Sequence, residues 1–291
     1  MILISLKIQL LSDKSDSAVC ATPFLGGVLH GSFEGLIRQH IPEVASALNM
    51  TQNNQLKLYS VLPPPYDWKA EKIKNQYSLG CGIMLFGQAA QFLPAILPVI
   101  QYWREIRLDG FSDKIMNREI HICSPGNPRQ LWDGHEVTAI KPDFNYSFTT
   151  SEDVVLSFIT PLVLESAKQK AAGATNTPPG LLRIVRSLVK RIQTLEPQLA
   201  EILQIGSQNW IEAEEQIRAT LIHQHHLTRV QWRYGSRTKK HPITRTGLIG
   251  QIHYGDSIPE SIMALLNWGC WFGIGQGASL GQGMYVIKDL Q

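Results

Sequence analysis

The order of strand and helix patterns occurs twice along the chain, and this repetition constrains the fold more than any other feature. Residues 2–10 alternate between apolar and mostly polar side chains, which is typical of a half-buried strand. Leu29, Phe33 and Ile37 then follow the spacing of an amphipathic helix that ends before Pro42. The chain therefore opens with a strand followed by a helix.

The remaining patterns extend this order, so that the first half reads β-α-(β)-β-α-β and the second half starts again at residue 154. The spacing predicts strands at 78–86, 119–123, 154–163, 229–234, 247–254 and 284–287, and helices at 89–104, 181–195, 208–227 and 259–268. We predict the α+β class with two tandem ferredoxin-like (RRM-like) domains, residues 1–150 and 151–291. The order alone leaves other α+β packings open.

Composition indicates a globular protein with reduced thiols. Hydrophobic residues make up 44% and charged residues 18% of the 291 residues. The four cysteines form no C-x-x-C pair, which argues against a zinc site and a disulfide framework: Cys20, Cys81, Cys123 and Cys270. The N-terminus has no cationic leader, and glutamine and proline interrupt the apolar run 82–100. We expect a cytoplasmic protein without a membrane partner.

Positive charge is concentrated in one region. Between Arg183 and Arg245 there are eleven Lys/Arg and five Asp/Glu, a net +6 in a chain whose total is +3. Its last part has no acidic residue and includes Trp232 and Tyr234, so it could neutralise phosphates and stack on unpaired bases. The basic candidates are Arg229, Arg233, Arg237, Lys239, Lys240 and Arg245. The alternative is a solvated charged loop.

A weaker basic strip is predicted on the helix at 181–195. Arg183, Arg186 and Lys190 share one face there, whereas Arg191 is displaced from it. A solvated helix face is the simpler explanation of these residues.

A glycine-rich segment precedes the last predicted strand, with five glycines among the eleven residues 273–283. Glycine tolerates positive φ and close backbone approach, so the segment could bind phosphate through N–H groups or form a tight structural turn. It lacks the G-K-[ST] of a nucleotide loop and does not open a helix after an early strand. Both interpretations, a phosphate-binding loop and a tightly packed structural turn, stay open.

This segment, G-h-G-x(5)-G-x-G with h apolar, resembles the signature of the RAMP superfamily of CRISPR-associated proteins. WRYGSR at 232–237 and TGLIGQIHYGD at 246–256 are similar to a stretch of its precursor-RNA processing endoribonucleases. FITPL at 158–162 and LFGQA at 85–89, with Leu93-Pro94, also look like that family. The matches extend over nearly the whole chain.

The resemblance implies a metal-independent endoribonuclease that cuts CRISPR repeat hairpins in precursor RNA, leaving a cyclic phosphate and a 5′-hydroxyl. It implies no cofactor or metal, and as partners the repeat RNA and other CRISPR-associated subunits. Gly273 and Gln276 stand where such proteins often carry His and Lys, so loop contact with RNA would rest on backbone N–H groups. The loop candidates for RNA binding are Gly275, Gln276, Gly277, Gly281 and Gly283.

Metal-free cleavage needs a base near the attacking 2′-hydroxyl, and histidine is the natural candidate. His30 and His40 lie on the first helix, about 15 Å apart along its axis and about 80° around it, so they cannot share one phosphate. We expect His30 to be the more accessible, and its region is where the family carries a catalytic His or Tyr. The general acid stays open among Tyr59, Tyr66, Tyr77 and His121.

Three other interpretations compete with this one. His223-Gln224-His225-His226 could suggest a metal site at a helix end, but no nearby carboxylate or thiolate completes one, which favours an ordinary polar segment. A catalytically inactive RAMP subunit that scaffolds guide RNA is the alternative to the nuclease. A metabolic enzyme on the same scaffold would need a convergent acidic or cofactor site, and the sequence shows none.

Overall fold

The chain divides into two compact units. The structure, a computed structural model, describes residues 1–11, 24–50, 56–64, 78–108, 111–125, 127–132, 153–164, 177–234, 243–255 and 257–288. The first unit comprises Met1–Asp143 and Trp232–Arg245, and the second comprises Phe144–Gln231 and Thr246–Gln291. The predicted boundary at residue 150 lies outside the described residues and stays a prediction.

The first unit contains an antiparallel sheet and three α-helices in its described part. Its strands are β1 (Ile2–Leu11), β2 (Tyr59–Leu62), β3 (Ser78–Leu85), β4 (Glu105–Leu108), β5 (Phe111–Ser124) and β6 (Asn127–Leu131). Its helices are α1 (Gly26–His40), α2 (Pro42–Ala47) and α3 (Leu93–Gln101), with a 3₁₀ turn at Gly87–Phe92 before α3.

The strand order of this sheet is ferredoxin-like. The strands lie in the order β2-β3-β1-β5-β4, with β6 on β5. β1, α1, β2, β3, α3 and β5 thus form the β-α-β-β-α-β unit, and β4 and β6 are additions to it. β1 is central, pairing with β3 and β5.

The core of the first unit follows from the alternation seen in the sequence. Ile2, Ile4, Leu6 and Ile8 are buried because every second residue of β1 points to the same face of the sheet. The helices cover that face, with Leu29, Phe33 and Ile37 of α1 buried in the same hydrophobic cluster.

The second unit repeats the topology in its described part. Its strands are β7 (Val154–Leu162), β8 (Ile222–Tyr234), β9 (Ile243–Tyr254) and β10 (Tyr285–Lys288), in the order β10-β7-β9-β8. The last three residues of β8 and the first three of β9 belong to the first unit. Its helices are α4 (Leu181–Leu195), α5 (Pro197–Ile202), α6 (Gln208–Gln216) and α7 (Glu260–Gly269), with 3₁₀ turns at Ile217–Ala219 and Ala278–Leu280. β7, α4, β8, β9, α7 and β10 form the second ferredoxin-like unit.

The predicted fold class is therefore confirmed, and several elements are corrected. The helix predicted over 89–104 is a 3₁₀ turn (Gly87–Phe92) followed by α3 (Leu93–Gln101). The helix predicted over 208–227 ends at Gln216, and β8 begins at Ile222. Pairing with β9 overrides the local preference of this polar segment. In addition, the strand in parentheses in the predicted order is β2, whose bounds were not predicted.

The described residues also bear on membrane spans and on the state of the cysteines. None of their helices combines the length and apolar character needed to span a bilayer. Cys81, Cys123 and Cys270 are free thiols.

Candidate active site

Helix α1 is held firmly in the first unit, and this fixes the position of its polar face. Leu29 and Phe33 are buried one turn apart. On another side of the helix, Trp103 Nε1 donates to Ser32 Oγ (2.7 Å), and Ser32 Oγ donates to the carbonyl oxygen of Glu105 (2.8 Å). Apolar packing and this hydrogen-bonded chain together restrict rotation of α1.

His30 and Glu34 lie one turn apart on α1 and meet Tyr59 of β2. The Tyr59 hydroxyl lies 2.9 Å from His30 Nε2 and donates to Glu34 Oε1 at 2.7 Å. The rings of His30 and Tyr59 stack with centroids 5.2 Å apart. Tyr59 is fully buried, while the side chains of His30 and Glu34 are each 13% exposed. The three groups form a polar constellation at the edge of the core.

Two cations complete this constellation around Glu34. Arg38 Nη2 lies 2.8 Å from Glu34 Oε2 and also donates to the Met50 carbonyl oxygen. Lys57 Nζ lies 3.4 Å from Glu34 Oε1 and donates to the Asn49 carbonyl oxygen at 2.6 Å. Burying a carboxylate is unfavourable unless it is paired and hydrogen-bonded, and Glu34 meets both conditions.

Burial determines the protonation state of the two rings. Desolvation lowers the pKa of His30 to about 4, against an opposing contribution from Glu34, so the free protein holds a neutral imidazole at neutral pH. Desolvation also raises the pKa of Tyr59 well above its usual value, reinforced by Glu34, and keeps its hydroxyl protonated. The site therefore offers a neutral imidazole capable of accepting a proton.

His40 lies apart from this constellation. It is exposed at the end of α1, and its ring stacks loosely on that of Tyr102, with centroids 6.3 Å apart. The expectation that His30 is the more accessible of the two was wrong, because α1 turns His30 toward Tyr59. The catalytic roles of His30 and His40 stay predictions.

Of the four candidate acids, the structure describes two. Tyr59 is in contact with His30 but is fully buried, so its hydroxyl is not presented at a surface. His121 Nε2 of β5 instead lies 3.3 Å from Glu119 Oε2, and Lys7 Nζ lies 2.7 Å from Glu119 Oε1. Tyr66 and Tyr77 lie outside the described residues.

The basic RNA-binding candidates are only partly described. Arg229 is exposed on β8 and Arg245 is half-buried on β9. Arg233 lies on β8, although its side chain is not described, and Arg237, Lys239 and Lys240 lie outside the described residues. The segment Trp232–Arg245 clusters with the first unit rather than the second. RNA binding by these residues stays a prediction.

The glycine-rich segment is packed tightly within the second unit. Gly275 N donates to Ser187 Oγ, and Gln276 N to Val163 O. Gly281 N donates to Ala278 O and Gly283 N to Pro161 O. Because these four N–H groups have protein partners, the interpretation that backbone N–H groups bind RNA is wrong for them.

The glycines themselves are required by this packing. Gly275, Gly277, Gly281 and Gly283 all have positive φ. A Cβ on Gly283 would lie 2.0 Å from Ile274 O, and one on Gly275 would lie 2.3 Å from Val163 O. The structural turn accounts for the glycine density, and RNA contact through the exposed Gln276 or through Gly277 stays a prediction.

The histidine-rich stretch lies on β8 and not at a helix end. Its His223 ring meets that of His253 edge-on, with centroids 5.2 Å apart, and His253 Nε2 lies 3.3 Å from Asp153 Oδ2. Within the described ranges, no group of three or more His, Cys, Asp or Glu side chains is arranged to hold a metal ion.

Known proteins resemble this chain in two respects, its fold and the sequence of its second half. Residues 156–285 match the family profile of the CRISPR-associated endoribonuclease Cas6. A solved Cas6 product complex aligns with a TM-score of 0.63 and 14% identity over 98% of this chain and 100% of that one. This chain carries the Cas6 fold.

Other Cas6 structures extend this result. Cas6 of Thermus thermophilus aligns with a TM-score of 0.57 and 17% identity, over 99% of this chain and 98% of that one. A chain of a partial Cas6-RT-Cas1–Cas2 complex aligns with a TM-score of 0.51 and 15% identity, over 99% of this chain but 46% of that one. A comparison with curated proteins gave no match. The shared fold and the match of residues 156–285 agree with the resemblance seen in the sequence.

Proposed function

We propose that this protein is a metal-independent endoribonuclease that binds CRISPR repeat hairpins in precursor RNA and cuts them to release guide RNAs. The observation that carries the proposal is a Cas6 fold in which the first helix holds a neutral histidine, His30, beside Tyr59 and Glu34. The match of residues 156–285 to an endoribonuclease family supports RNA as the substrate.

His30 acts as the general base in this proposal. It takes the proton of a 2′-hydroxyl, whose oxygen attacks the adjacent phosphorus and displaces the 5′-oxygen, giving a cyclic phosphate and a 5′-hydroxyl. A base must be unprotonated to work, and burial keeps His30 in that form. A bound phosphate raises the pKa of a nearby imidazole and would make His30 a stronger base once RNA is in place.

The surroundings of His30 suit an RNA backbone. A Cβ placed on the next residue, Gly31, would have no described atom within 4 Å, so there is open space beside the base. The N-terminal end of α1 lies about one turn before His30, and the positive end of a helix favours a phosphate. Arg38 and Lys57 add positive charge on the other side.

Recognition of the hairpin is assigned to the basic segment from Arg229 to Arg245. Lysine and arginine neutralise the phosphates of a stem. Trp232 is buried, with its ring centroid 5.5 Å from that of Phe24, so the base-stacking role expected of it from the sequence is wrong. We also propose association with other CRISPR-associated proteins, supported by the fold shared with a chain of the Cas6-RT-Cas1–Cas2 complex.

The test is cleavage of an end-labelled repeat hairpin by the full-length protein in excess EDTA. The matched substrate carries a 2′-deoxy sugar at the cleaved nucleotide. We expect cleavage of the all-ribose hairpin with cyclic-phosphate and 5′-hydroxyl ends, and no cleavage of the deoxy hairpin. Loss of cleavage in EDTA would disprove metal independence. Tight binding of an RNA that stays intact with and without EDTA would instead favour a scaffolding subunit.

A further inference from the structure

The hydrogen bonds around Tyr59 fix which nitrogen of His30 carries the proton. The Tyr59 hydroxyl has a single proton and two partners, Glu34 Oε1 at 2.7 Å and His30 Nε2 at 2.9 Å. An ionised carboxylate, here paired with Arg38 and Lys57, can only accept, so the hydroxyl proton goes to Glu34. His30 Nε2 must then donate to the Tyr59 oxygen.

A neutral imidazole carries one proton, so a proton on Nε2 leaves Nδ1 as the accepting nitrogen. We propose that Glu34 is a positioning residue that sets the tautomer of His30 through Tyr59, and that Nδ1 of His30 is the reacting base. The role of Nδ1 in the reaction rests on the proposed function, whereas the tautomer does not.

In the reaction, the 2′-O–H bond breaks and an Nδ1–H bond forms as the 2′-oxygen bonds to phosphorus. The bond from phosphorus to the 5′-oxygen breaks, and that oxygen takes a proton from water. The imidazolium then returns its proton to the hydroxide that remains. Nε2 stays hydrogen-bonded to the Tyr59 hydroxyl throughout, and this holds the plane of the imidazole ring fixed.

The arrangement also predicts what removing the charge of Glu34 does. A glutamine at this position offers an N–H₂ group that can donate to the Tyr59 oxygen. The Tyr59 hydroxyl is then free to donate to Nε2, and this moves the imidazole proton to Nδ1. The Glu34→Gln variant therefore blocks the proposed base without removing the imidazole ring.

The first test is long-range ¹H–¹⁵N NMR at neutral pH on the full-length protein, labelled at histidine and free of RNA. The His30→Ala variant identifies the His30 signals. We expect the Nε2–H form in the wild type and an increased Nδ1–H form in Glu34→Gln. Glu43→Gln, which changes an exposed glutamate on α2, is the matched control and should leave the His30 signals unchanged. An Nδ1–H form in the wild type would overturn the proposal.

The second test is the cleavage rate under saturating RNA. We expect Glu34→Gln to lower kcat about 10- to 100-fold with little change in KM, because a wrong tautomer disables a base that is still in place. The double variant with Tyr59→Phe should be no slower than the slower single variant, since both changes act on the same hydrogen bond. Additive losses, or a Glu34→Gln enzyme as fast as the wild type, would contradict the role of Glu34.

The two proposals fail separately. An Nε2–H tautomer that depends on Glu34, in a protein that cuts no RNA, would support the positioning role and disprove the nuclease. Cleavage by a wild-type protein whose His30 has the Nδ1–H form would support the nuclease and disprove the positioning role of Glu34.

Discussion

The two units share one topology but use their buried tyrosines differently. In the first unit, Tyr59 is hydrogen-bonded to Glu34 and His30, two ionisable side chains on α1. In the second unit, Tyr254 donates to the Pro179 carbonyl oxygen and Tyr285 to the Leu266 carbonyl oxygen, each at 2.5 Å. Burial raises the pKa of all three hydroxyls.

The difference lies in the hydrogen-bond partners of the tyrosine hydroxyls, which are backbone carbonyls in the second unit and ionisable side chains in the first. A tyrosine bonded to a backbone carbonyl satisfies a buried group and rigidifies the fold. A tyrosine bonded to a carboxylate and an imidazole also fixes the protonation of a group that can react. The helix equivalent to α1 in the second unit, α4, has Arg183, Arg186 and Lys190 at exposed positions and no histidine. Arg183 donates to the Leu164 carbonyl oxygen, and Arg186 Nε lies 3.4 Å from Glu214 Oε2. The proposed chemistry therefore belongs to the first unit.

The largest expected effect comes from removing the base. His30→Ala should lower single-turnover cleavage of a repeat hairpin about 1000-fold, within the range for loss of a general base. His40→Ala, on the same helix but exposed beside Tyr102, should change the rate less than about threefold. A large loss in His40→Ala with an active His30→Ala enzyme would reverse the assignment of the site.

The pH dependence of folding tests the burial of His30. Because the pKa of His30 is lowered to about 4 in the folded protein, only the unfolded state binds this proton between pH 6.5 and about 4. Stability is lost as the pH falls through this window, by roughly 3 kcal/mol for this group. Urea unfolding at several pH values should show a smaller loss in the His30→Gln variant. Equal pH dependence in both proteins would show that His30 is not buried as described.

The glycine-rich segment of the second unit should respond as a packed turn. Gly283→Ala should lower the free energy of unfolding by about 2–3 kcal/mol, because its Cβ would meet Ile274 O and its φ is positive. Gly31→Ala in α1, where the added Cβ meets no described atom, should instead raise it by up to about 1 kcal/mol. Unfolding curves that show equal effects for the two variants would contradict the packed turn.

The smallest expected effect concerns RNA affinity. Arg229→Ala on β8 should weaken hairpin binding about fivefold and lower the salt-dependence slope by about 1, as for one lost phosphate contact. Arg218→Ala is the matched control, since Arg218 is an exposed arginine of the same unit that pairs with Glu215. Filter binding over a salt series measures both. Equal effects would show that β8 has no special part in RNA binding.

Most of the fold could be predicted because its elements have strong local patterns. The helix over 181–195 was predicted with the observed bounds, since its buried leucine, isoleucine and valine residues repeat at helical spacing. The strand β8 was missed before Arg229 because its polar residues have no clear alternation, and pairing with β9 determines it. The bounds of β2 were not predicted because four residues are too few to show an alternation.

The site could be predicted only in part. His30 and Glu34 stand at i and i+4, so the sequence indicates that they share a helix face. Tyr59 was one of four candidate acids, and no local pattern indicates that it is buried against His30. That contact depends on β2 lying at the end of the sheet beside α1, which is a tertiary property.

The most direct test of the account is chemical rescue of the His30→Ala variant by imidazole. The measurement compares cleavage of the repeat hairpin with and without imidazole, at an enzyme concentration shown to saturate binding. We expect imidazole to restore part of the rate at the wild-type bond and to have no effect on the wild-type enzyme. A His30→Ala enzyme that cuts at the wild-type rate, or one that binds RNA normally but is not rescued, would contradict the role of His30 as the base.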